Sequence, residues 1–214
     1  MGVRQAIRHK AGSFAENARL ARWHMLLAEY PGVKDWRVLD LGGTIDSWLK
    51  APVQPRHVTV VNLLNMPEAA GFTTLRGDAC EATKLLQAGG LPLEYDMVYS
   101  NSLIEHVGGH AQRQKLANEV RGLAPHYWVQ TPYRYFPVEP HWLFPGAQFL
   151  PVALQAQVLK RWPLIDNSAD IPSAVGRAAD IELMSITQMR SYFPEARLLK
   201  EHAGGMTKSL ICLH

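Results

Sequence analysis

The sequence predicts an α/β protein with a doubly wound, seven-stranded mixed sheet that ends in an antiparallel hairpin. Short β-rich segments alternate with helical ones from residue 37 onwards, which is typical of a parallel sheet with helices on both faces. The pair Gly42 and Gly43 follows the first of these strands, at the end of the sheet where such folds bind ligands. A short turn with Gly204 and Gly205 joins the last two strands, so these two must be antiparallel.

Length and composition fit one domain, residues 1–214. The hydrophobic fraction of 47% is ordinary for a protein with a full core. The net charge of +3 comes from 22 basic and 19 acidic residues, and this small excess does not indicate a nucleic-acid partner. Cys80 and Cys212 fit no metal-binding spacing. The polar N-terminus and the absence of an apolar run of about 20 residues predict a cytoplasmic protein without membrane insertion.

Residues 1–32 form a predicted N-terminal helical segment. The residues 13–16 match a capping box, so the helix is expected to begin at Ser13 and to end at Pro31. Its apolar residues recur at helical spacing: Leu20, Trp23, Leu27 and Tyr30. Five basic residues against two acidic ones in the first 30 positions leave two interpretations open. The helix either lies on a membrane surface or packs on the protein core.

Five strands are predicted in the first part of the sheet, at 37–41, 57–62, 73–76, 95–100 and 127–131. Helices are predicted at 81–87 and 112–121. Residues 132–176 then break the alternation, with seven prolines, many aromatic residues and one short helix around 153–162. An insertion of this size is usually functional or disordered, and its aromatic content favours an ordered cap. A helix at 185–193 and strands at 196–201 and 207–213 complete the sheet.

Four segments lie at the ends of successive strands: V-L-D-L-G-G-T-I (38–45), V-T-V-V-N (58–62), G-D-A (77–79) and Y-D-M-V-Y-S-N-S-L-I-E-H-V (95–107). Together they resemble the ordered motifs of class I S-adenosylmethionine-dependent methyltransferases. The resemblance covers most of the chain and is specific for fold and cofactor, but not for substrate. It implies a Rossmann-like methyltransferase fold, S-adenosylmethionine as cofactor and a methyltransferase activity.

The resemblance assigns the first loop to the amino acid part of the cofactor. Asp40 would contact it through the loop, and Gly42 and Gly43 would give it access to the backbone. Thr44 stands where the family usually has another glycine. The alternative is a plain tight turn without a ligand.

Further cofactor contacts follow the next strands. Asn62, 22 residues after Asp40, stands where an acid normally binds the ribose hydroxyls, so it either binds ribose or is structural. Asp78 and Ala79 resemble the adenine-binding turn, although Asp78 also suits the cap of the following helix. Asn101 would lie beside the methionine part of the cofactor.

The resemblance also bears on whether this chain binds a metal ion. Glu105 and His106 repeat an acid–histidine pair found in many small-molecule methyltransferases. In the ubiquinone-pathway O-methyltransferases a glutamate three positions earlier completes a divalent-metal site, whereas this chain has Ser102 there. With one oxygen ligand lost, no metal ion is expected. Alternatively, Glu105 is a helix-terminal charge and His106 a packed side chain.

The start of the cap follows the fifth strand, so its first residues should reach the site. Tyr133, Tyr135 and Trp142 are candidates for the acceptor-binding wall, and Glu139 and His141 for orienting or deprotonating an acceptor hydroxyl. His141 or His106 would be the base. The alternative is a proline-stiffened cap with core aromatic residues.

The sequence thus favours methyl transfer from S-adenosylmethionine to a hydroxyl or other nucleophile of a small molecule, lipid precursor or glycan. Three alternatives remain. A degenerate methyltransferase-like protein acting through partners is suggested by Thr44 and Asn62. A nicotinamide-dependent oxidoreductase would need a G-x-G-x-x-G fingerprint and an acid about 20 residues later, and this sequence has neither. The third alternative is a nucleic-acid methyltransferase, but the sequence has neither an N-P-P-Y-type motif nor an obvious RNA-binding module.

Overall fold

The computed structural model describes residues 3–164 and 170–214, and for 3–15 it describes the backbone alone. A seven-stranded sheet forms its centre. The strands are β1 (Arg37–Leu41), β2 (His57–Asn62), β3 (Phe72–Arg76), β4 (Met97–Asn101), β5 (His126–Pro132), β8 (Arg197–Ala203) and β9 (Met206–Leu213). The helices are α1 (Val3–Glu29), α2 (Ile45–Leu49), α3 (Ala82–Ala88), α4 (His110–Leu123), α5 (Val152–Arg161), α6 (Ile171–Ala179) and α7 (Ile186–Tyr192).

The strand order is β3-β2-β1-β4-β5-β9-β8. The first five strands are parallel, with Asp40 opposite Val60 on one side and Tyr99 on the other. Strand β9 is antiparallel to both β5 and β8. The predicted mixed sheet with its C-terminal hairpin is therefore confirmed. Because β1 and β4 are neighbours while their connections run to opposite sides, the order reverses between them, and this is where such sheets bind ligands.

Alternating side chains of the strands build one hydrophobic core on each face of the sheet. Leu39, Val61 and Val98 belong to the core that contains α4 and α7 residues, whereas Val38 and Val60 belong to the core that contains α1 residues. The second core includes Trp23 of α1, Trp48 of α2 and Tyr99 of β4. Helix α1 is thus packed on the sheet over its described side chains, as the core-docking interpretation predicts.

Two helix predictions were wrong. Helix α1 begins at Val3, ten residues before the predicted start at Ser13, because residues 3–12 contain many good helix formers and the capping-box pattern falls within a continuing helix. The region 132–176 contains a second helix, α6, which begins before Gly176 and runs past it. Asp170 caps this helix by accepting a hydrogen bond from the Ser173 amide at 2.8 Å, and Pro172 is tolerated in its first turn.

The region predicted as a cap also contains a small two-stranded sheet, β6 (Val138–Glu139) with β7 (Phe144–Pro145). Residues 165–169 of this region, like residues 1 and 2 of the predicted N-terminal segment, lie outside the described residues. A third hydrophobic cluster holds α5 and α6 together, with Trp142, Leu159 and Ala174 at its centre. Over the described ranges, the structure has no helix that is both long and apolar enough to cross a membrane.

Candidate active site

A cleft of about 530 Å³ opens at the carboxyl ends of β1 and β4. Five of the predicted cofactor residues line it: Asp40, Gly42, Gly43, Thr44 and Asn101. Helix α1 forms the opposite wall with side chains that include Arg19, Arg22 and Trp23. The structure therefore brings the glycine loop and the end of β4 together around one concave surface, as expected for a ligand site at the reversal of strand order.

Asp40 is the buried acid of this cleft, with only 1% of its surface exposed. Its Oδ2 accepts a hydrogen bond from the Trp48 indole N–H at 2.7 Å, whereas its Oδ1 is buried and accepts no hydrogen bond from the described residues. Burial raises the pKa of Asp40 to about 7, and the Trp48 hydrogen bond offsets only part of that rise. An unpartnered buried oxygen is costly, so this carboxyl is suited to a ligand that donates a hydrogen bond.

The glycine loop is shaped by this carboxyl. A Cβ atom on Gly43 would lie 1.7 Å from Asp40 Oδ2, so only glycine fits beside the acid. Gly42 has φ +81°, which favours glycine, and a Cβ there would lie 2.7 Å from the Leu103 side chain. Thr44, which departs from the family pattern, caps α2 by accepting a hydrogen bond from the Ser47 amide at 3.3 Å.

Asn62 lies behind the same loop, where its side chain bonds to the protein itself. Its amide nitrogen donates to the carbonyl oxygens of Gly42 and Gly43 at 3.2 and 2.8 Å. Its Oδ1 accepts from the backbone amide of Leu64 at 2.9 Å. The first two bonds fix the loop on the end of β2 and the third orients the Asn62 side chain, so together they favour the structural interpretation of Asn62 over direct ribose binding.

Asp78 and Ala79 follow β3, two strands away from β1 in the sheet. Asp78 Oδ1 accepts a hydrogen bond from the Cys80 amide at 2.9 Å and so caps the next helical turn. Asp78 is exposed and Ala79 is buried. Among the described residues, the lining of the cleft does not include either of them. Asp78 keeps one carboxylate oxygen that is not used by this cap.

Helix α1 is held against the sheet by stacked aromatic rings. Trp23 stacks on Tyr99 of β4, with ring centroids 5.3 Å apart and an interplanar angle of 8°. It also contacts Trp48 of α2 at 4.9 Å. The Arg22 guanidinium pairs with Glu201 of β8 at 3.0 Å, and both side chains are nearly buried. These contacts set the wall of the cleft opposite the glycine loop.

A second group of polar side chains lies beyond the end of β4. Glu105, His106 and His141 place their candidate ligand atoms within 4.8 Å of one another. The rings of His106 and His141 are perpendicular, with centroids 4.9 Å apart. Glu139 Oε1 lies 2.6 Å from His141 Nδ1. The three residues predicted from sequence as catalytic (His106, Glu139 and His141) are therefore neighbours, although α4 and β5 separate them in the chain.

Burial and mutual contacts shift the protonation of this group. Burial raises the pKa of Glu105 to about 7, against smaller opposing hydrogen bonds, which include one from Thr131. Burial also lowers the pKa of His106, and the nearby His141 lowers it further. Burial lowers the pKa of His141 as well, but the hydrogen bond and negative charge of Glu139 reverse this, so its pKa is raised overall. The two imidazoles thus differ in basicity at a short distance.

The predicted acceptor-binding aromatic residues do not share one surface. Trp142 is buried in the cluster with α5 and α6, and its backbone amide donates to Glu139 Oε2 at 2.7 Å. Tyr133 packs against the main core. Tyr135 is 59% exposed, and its ring meets that of Tyr133 at 5.5 Å. Trp142 and Glu139 also line a cavity of about 300 Å³ beneath the cap.

Sequence reasoning missed the residues that α1 contributes to the cleft. Arg19 of α1 lines it, and so does Lys50, which directly follows α2. The excess of basic residues near the N-terminus was the available signal, but a charged helix fits a membrane surface as well as a binding cleft. Sequence reasoning also left Glu105 outside the predicted catalytic residues, although it is 1% exposed and has a carboxylate oxygen within 4.8 Å of both histidines.

Comparison with known proteins finds likeness in structure alone. No protein-family model matches the sequence, and no curated protein matches it. An S-adenosylmethionine-dependent methyltransferase from Mesorhizobium loti aligns with a TM-score of 0.55 and 17% identity, over 90% of this chain and 96% of that one. Magnesium protoporphyrin IX methyltransferase from Synechocystis PCC 6803, solved with bound S-adenosylhomocysteine, aligns with a TM-score of 0.54 and 12% identity, over 100% and 87%.

A possible exported protein from Bordetella parapertussis aligns with a TM-score of 0.54 and 16% identity, over 91% of this chain. The chain spans only 66% of that protein's length. At these identities the comparisons establish the fold and not the substrate. The strand order, the C-terminal hairpin and these structures together show that the chain has the fold of the class I S-adenosylmethionine-dependent methyltransferases.

Proposed function

We propose that the protein transfers the methyl group of S-adenosylmethionine to a hydroxyl or other nucleophile of a small molecule, lipid precursor or glycan. The observation that carries this proposal is the cleft at the ends of β1 and β4, with two unpartnered buried oxygens in its lining. These are Asp40 Oδ1 and Asn101 Oδ1, which accept no hydrogen bond within the described part of the chain. Buried acceptors without donors are rare in native proteins and favour a ligand that supplies donors.

The residues of the cleft fit the amino acid part of the cofactor. Asp40 and Asn101 offer acceptors for an ammonium group, and Arg19 and Lys50 offer positive charge for a carboxylate. Gly42 and Gly43 carry no side chains, so the backbone of their loop is accessible to the ligand. The exposed carboxylate of Asp78, with the backbone of Ala79, remains the proposed contact for adenine. Solved proteins of the same fold bind S-adenosylhomocysteine, which supports this cofactor.

Thr44 and Asn62 have supporting parts in this proposal. Thr44 caps α2 and so fixes the loop that carries Gly42 and Gly43. Asn62 holds the carbonyl oxygens of the same loop. Neither departure from the family pattern therefore requires that cofactor binding is lost, because both side chains stabilise the loop and leave its ligand-facing backbone available.

The cofactor supplies an activated methyl group on a sulfonium, which a nucleophile displaces in line. The protein aligns the acceptor and takes up its proton. His141 is the leading base because Glu139 accepts from its Nδ1, which leaves Nε2 to receive a proton. His106 is the second candidate. Glu105 lies four residues after Asn101, so their Cα atoms are at most about 15 Å apart, and the histidine group lies near the cofactor cleft.

Titration calorimetry with S-adenosylhomocysteine and S-adenosylmethionine, with NADH as the comparison ligand, tests the cofactor. Wild-type protein should bind the adenosyl ligands with micromolar affinity. Asp78→Ala and Asn101→Ala should each weaken binding by about tenfold. Asn118→Ala is the matched control, since Asn118 is exposed on α4 and bonds only to Gln114 among its described contacts. No binding by the folded wild type, or tighter binding of NADH, would overturn the proposal.

A screen of acceptors by release of S-adenosylhomocysteine follows if the cofactor binds. With an acceptor in hand, His141→Ala and His106→Ala separate the two candidate bases by their rate profiles against pH. Near-normal turnover by both single variants at every pH would remove the histidines from proton transfer. It would leave the cofactor assignment intact, because the histidines do not line the cleft.

A further inference from the structure

The Glu105–His106–His141 cluster combines two imidazoles and one carboxylate at short range. Glu105 and His106 follow β4, whereas His141 comes from the loop between β6 and β7. One ligand atom from each residue lies within 4.8 Å of the others. His106 Nε2 lies 3.9 Å from Glu105 Oε1. Parts of the chain more than 30 residues apart thus converge on a small volume.

Glu105 presents a free oxygen to this volume. Its side chain has no exposed surface, and its Oε2 accepts a hydrogen bond from the Thr131 hydroxyl at 2.9 Å. Its Oε1 is buried and accepts no hydrogen bond from any described residue. A carboxylate oxygen in that setting requires a donor or a cation. Thr131 meanwhile fixes the orientation of the carboxyl group.

His141 is oriented in the same way. Glu139 is 1% exposed and its Oε1 lies 2.6 Å from His141 Nδ1. Its Oε2 is held by the Trp142 backbone amide at 2.7 Å. When a carboxylate accepts a hydrogen bond from one nitrogen of a neutral imidazole, the other nitrogen is unprotonated and the orientation of the ring is fixed. In His141 this leaves Nε2 as the atom available to the cluster, and carboxylate–histidine pairs of this kind commonly support metal ligands.

We propose that Glu105, His106 and His141 bind a divalent first-row transition metal ion, with Glu139 as the residue that orients His141. Two imidazoles and one carboxylate suit zinc, iron(II) or cobalt(II) better than magnesium or calcium, which prefer oxygen ligands. Three protein ligands leave coordination positions open. Tetrahedral ligands around zinc lie about 3.3 Å apart, so rotations of the two histidine side chains would close the cluster around the ion.

The position of Ser102 does not argue against this site. Its hydroxyl donates to Gln130 Oε1 at 3.0 Å and is therefore engaged outside the cluster. The third ligand instead comes from His141 in the cap. Ion binding does not depend on the proposed methyl transfer. Where both hold, His141 Nε2 is a ligand of the ion and not the base; an open position of the ion would receive the acceptor oxygen and increase its acidity, and the proton would pass to solvent.

Calorimetric titration with zinc tests the site. The purified full chain is first stripped with EDTA and exchanged into chelator-free buffer. Wild type should bind one equivalent. Glu105→Gln, which keeps the shape of the side chain, and His141→Ala should each weaken binding at least tenfold, and Glu139→Gln should weaken it by about 10–100-fold. His57→Ala is the matched control, because His57 lies at the amino end of β2 on the opposite edge of the sheet.

Cobalt(II) gives a second readout that does not need turnover. Wild type should show the visible absorption bands of a low-coordinate cobalt site, and the Glu105 and His141 variants should not. Zinc should also raise the melting temperature of wild type, but not of Glu105→Gln. Equal zinc affinity in wild type and Glu105→Gln, provided both are folded by circular dichroism, would overturn the site, as would no zinc binding by wild type. S-adenosylhomocysteine affinity, measured on the same samples, distinguishes this failure from failure of the proposed function.

Discussion

The side-chain amide of Asn62 donates a hydrogen bond to the carbonyl oxygen of Gly43 at 2.8 Å. A second bond joins it to the carbonyl oxygen of Gly42, so the two glycines that face the cleft are held from behind by the end of β2. The family usually has an acid at this position. In this chain an acid could not donate to either carbonyl, and the amide is therefore part of the construction of the loop.

Asn62→Asp should consequently weaken the protein, although it restores the residue usual in the family. A carboxylate facing two carbonyl oxygens loses both donated hydrogen bonds and adds repulsion, which should lower the free energy of unfolding by about 1–3 kcal/mol. Urea unfolding gives this value. Asn118→Asp, on the exposed face of α4, should change it by less than about 0.5 kcal/mol. Tighter binding of S-adenosylhomocysteine by Asn62→Asp at unchanged stability would instead favour a ribose contact.

Gly43→Ala tests the contact between the loop and Asp40. The added methyl carbon would lie 1.7 Å from Asp40 Oδ2, so the loop or the buried carboxyl must move. We expect a loss of about 1–3 kcal/mol in the free energy of unfolding, and weaker binding of S-adenosylhomocysteine. Gly122→Ala in α4 is the control, because a Cβ there meets nothing within 4 Å. It should stabilise the helix by up to about 1 kcal/mol. Equal effects of the two substitutions would contradict the packing described for Gly43.

The strands of the sheet could be predicted from sequence within about two residues, because their β-rich segments are short and glycine or proline turns separate them. Helix α6 was not predicted, since Pro172 and Gly176 both weaken a helix signal in sequence, whereas one lies in the first turn and the other is tolerated within the helix. The start of α1 was placed too late for a related reason. A capping-box pattern identifies the start of a helix only when the preceding residues are not themselves helix formers.

The candidate site, like the fold, could be predicted from sequence only in part. The glycine loop and Asn101 were predictable, because each follows directly from the end of a strand. The approach of His141 to Glu105 was not, since it depends on where the β6–β7 hairpin places a residue that is distant from Glu105 in the chain. The role of Asn62 was left open by sequence, because an amide can serve a ligand or the backbone equally well. Only the position of its donor group, against Gly42 and Gly43, favours the backbone.

Trp23 should be the main anchor of α1. It is 7% exposed and stacks on Tyr99, and truncation of a buried tryptophan usually costs about 3–5 kcal/mol. Trp23→Ala should therefore lower the urea midpoint strongly and weaken S-adenosylhomocysteine binding, because α1 forms one wall of the cleft. Leu20→Ala, one turn earlier and 47% exposed, should cost less than about 0.5 kcal/mol. If the two variants unfold at the same urea concentration, α1 is not anchored by this stack.

The raised pKa of Asp40 makes stability depend on pH in a defined direction. Burial raises this pKa to about 7 in the folded protein, whereas an aspartate in an unfolded chain titrates near 4. Between these values the folded state binds a proton that the unfolded state has lost, so the free energy of unfolding falls as pH rises from about 4 to about 7. Above that range the buried carboxylate is ionised, and its contribution is lost.

Asp40→Asn removes this titration while keeping the size of the side chain and an oxygen that can accept from Trp48. Urea unfolding of both proteins at pH 5 and pH 8 isolates the effect, because the other titrating groups cancel in the difference. The free energy of unfolding of the variant minus that of wild type should be larger at pH 8 than at pH 5, by an amount on the order of a few kcal/mol. Asp46→Asn, whose side chain lies in water on α2, should leave the difference unchanged. An equal difference at both pH values for Asp40→Asn would show that Asp40 is ionised throughout, held in that state by a stronger partner than the Trp48 indole.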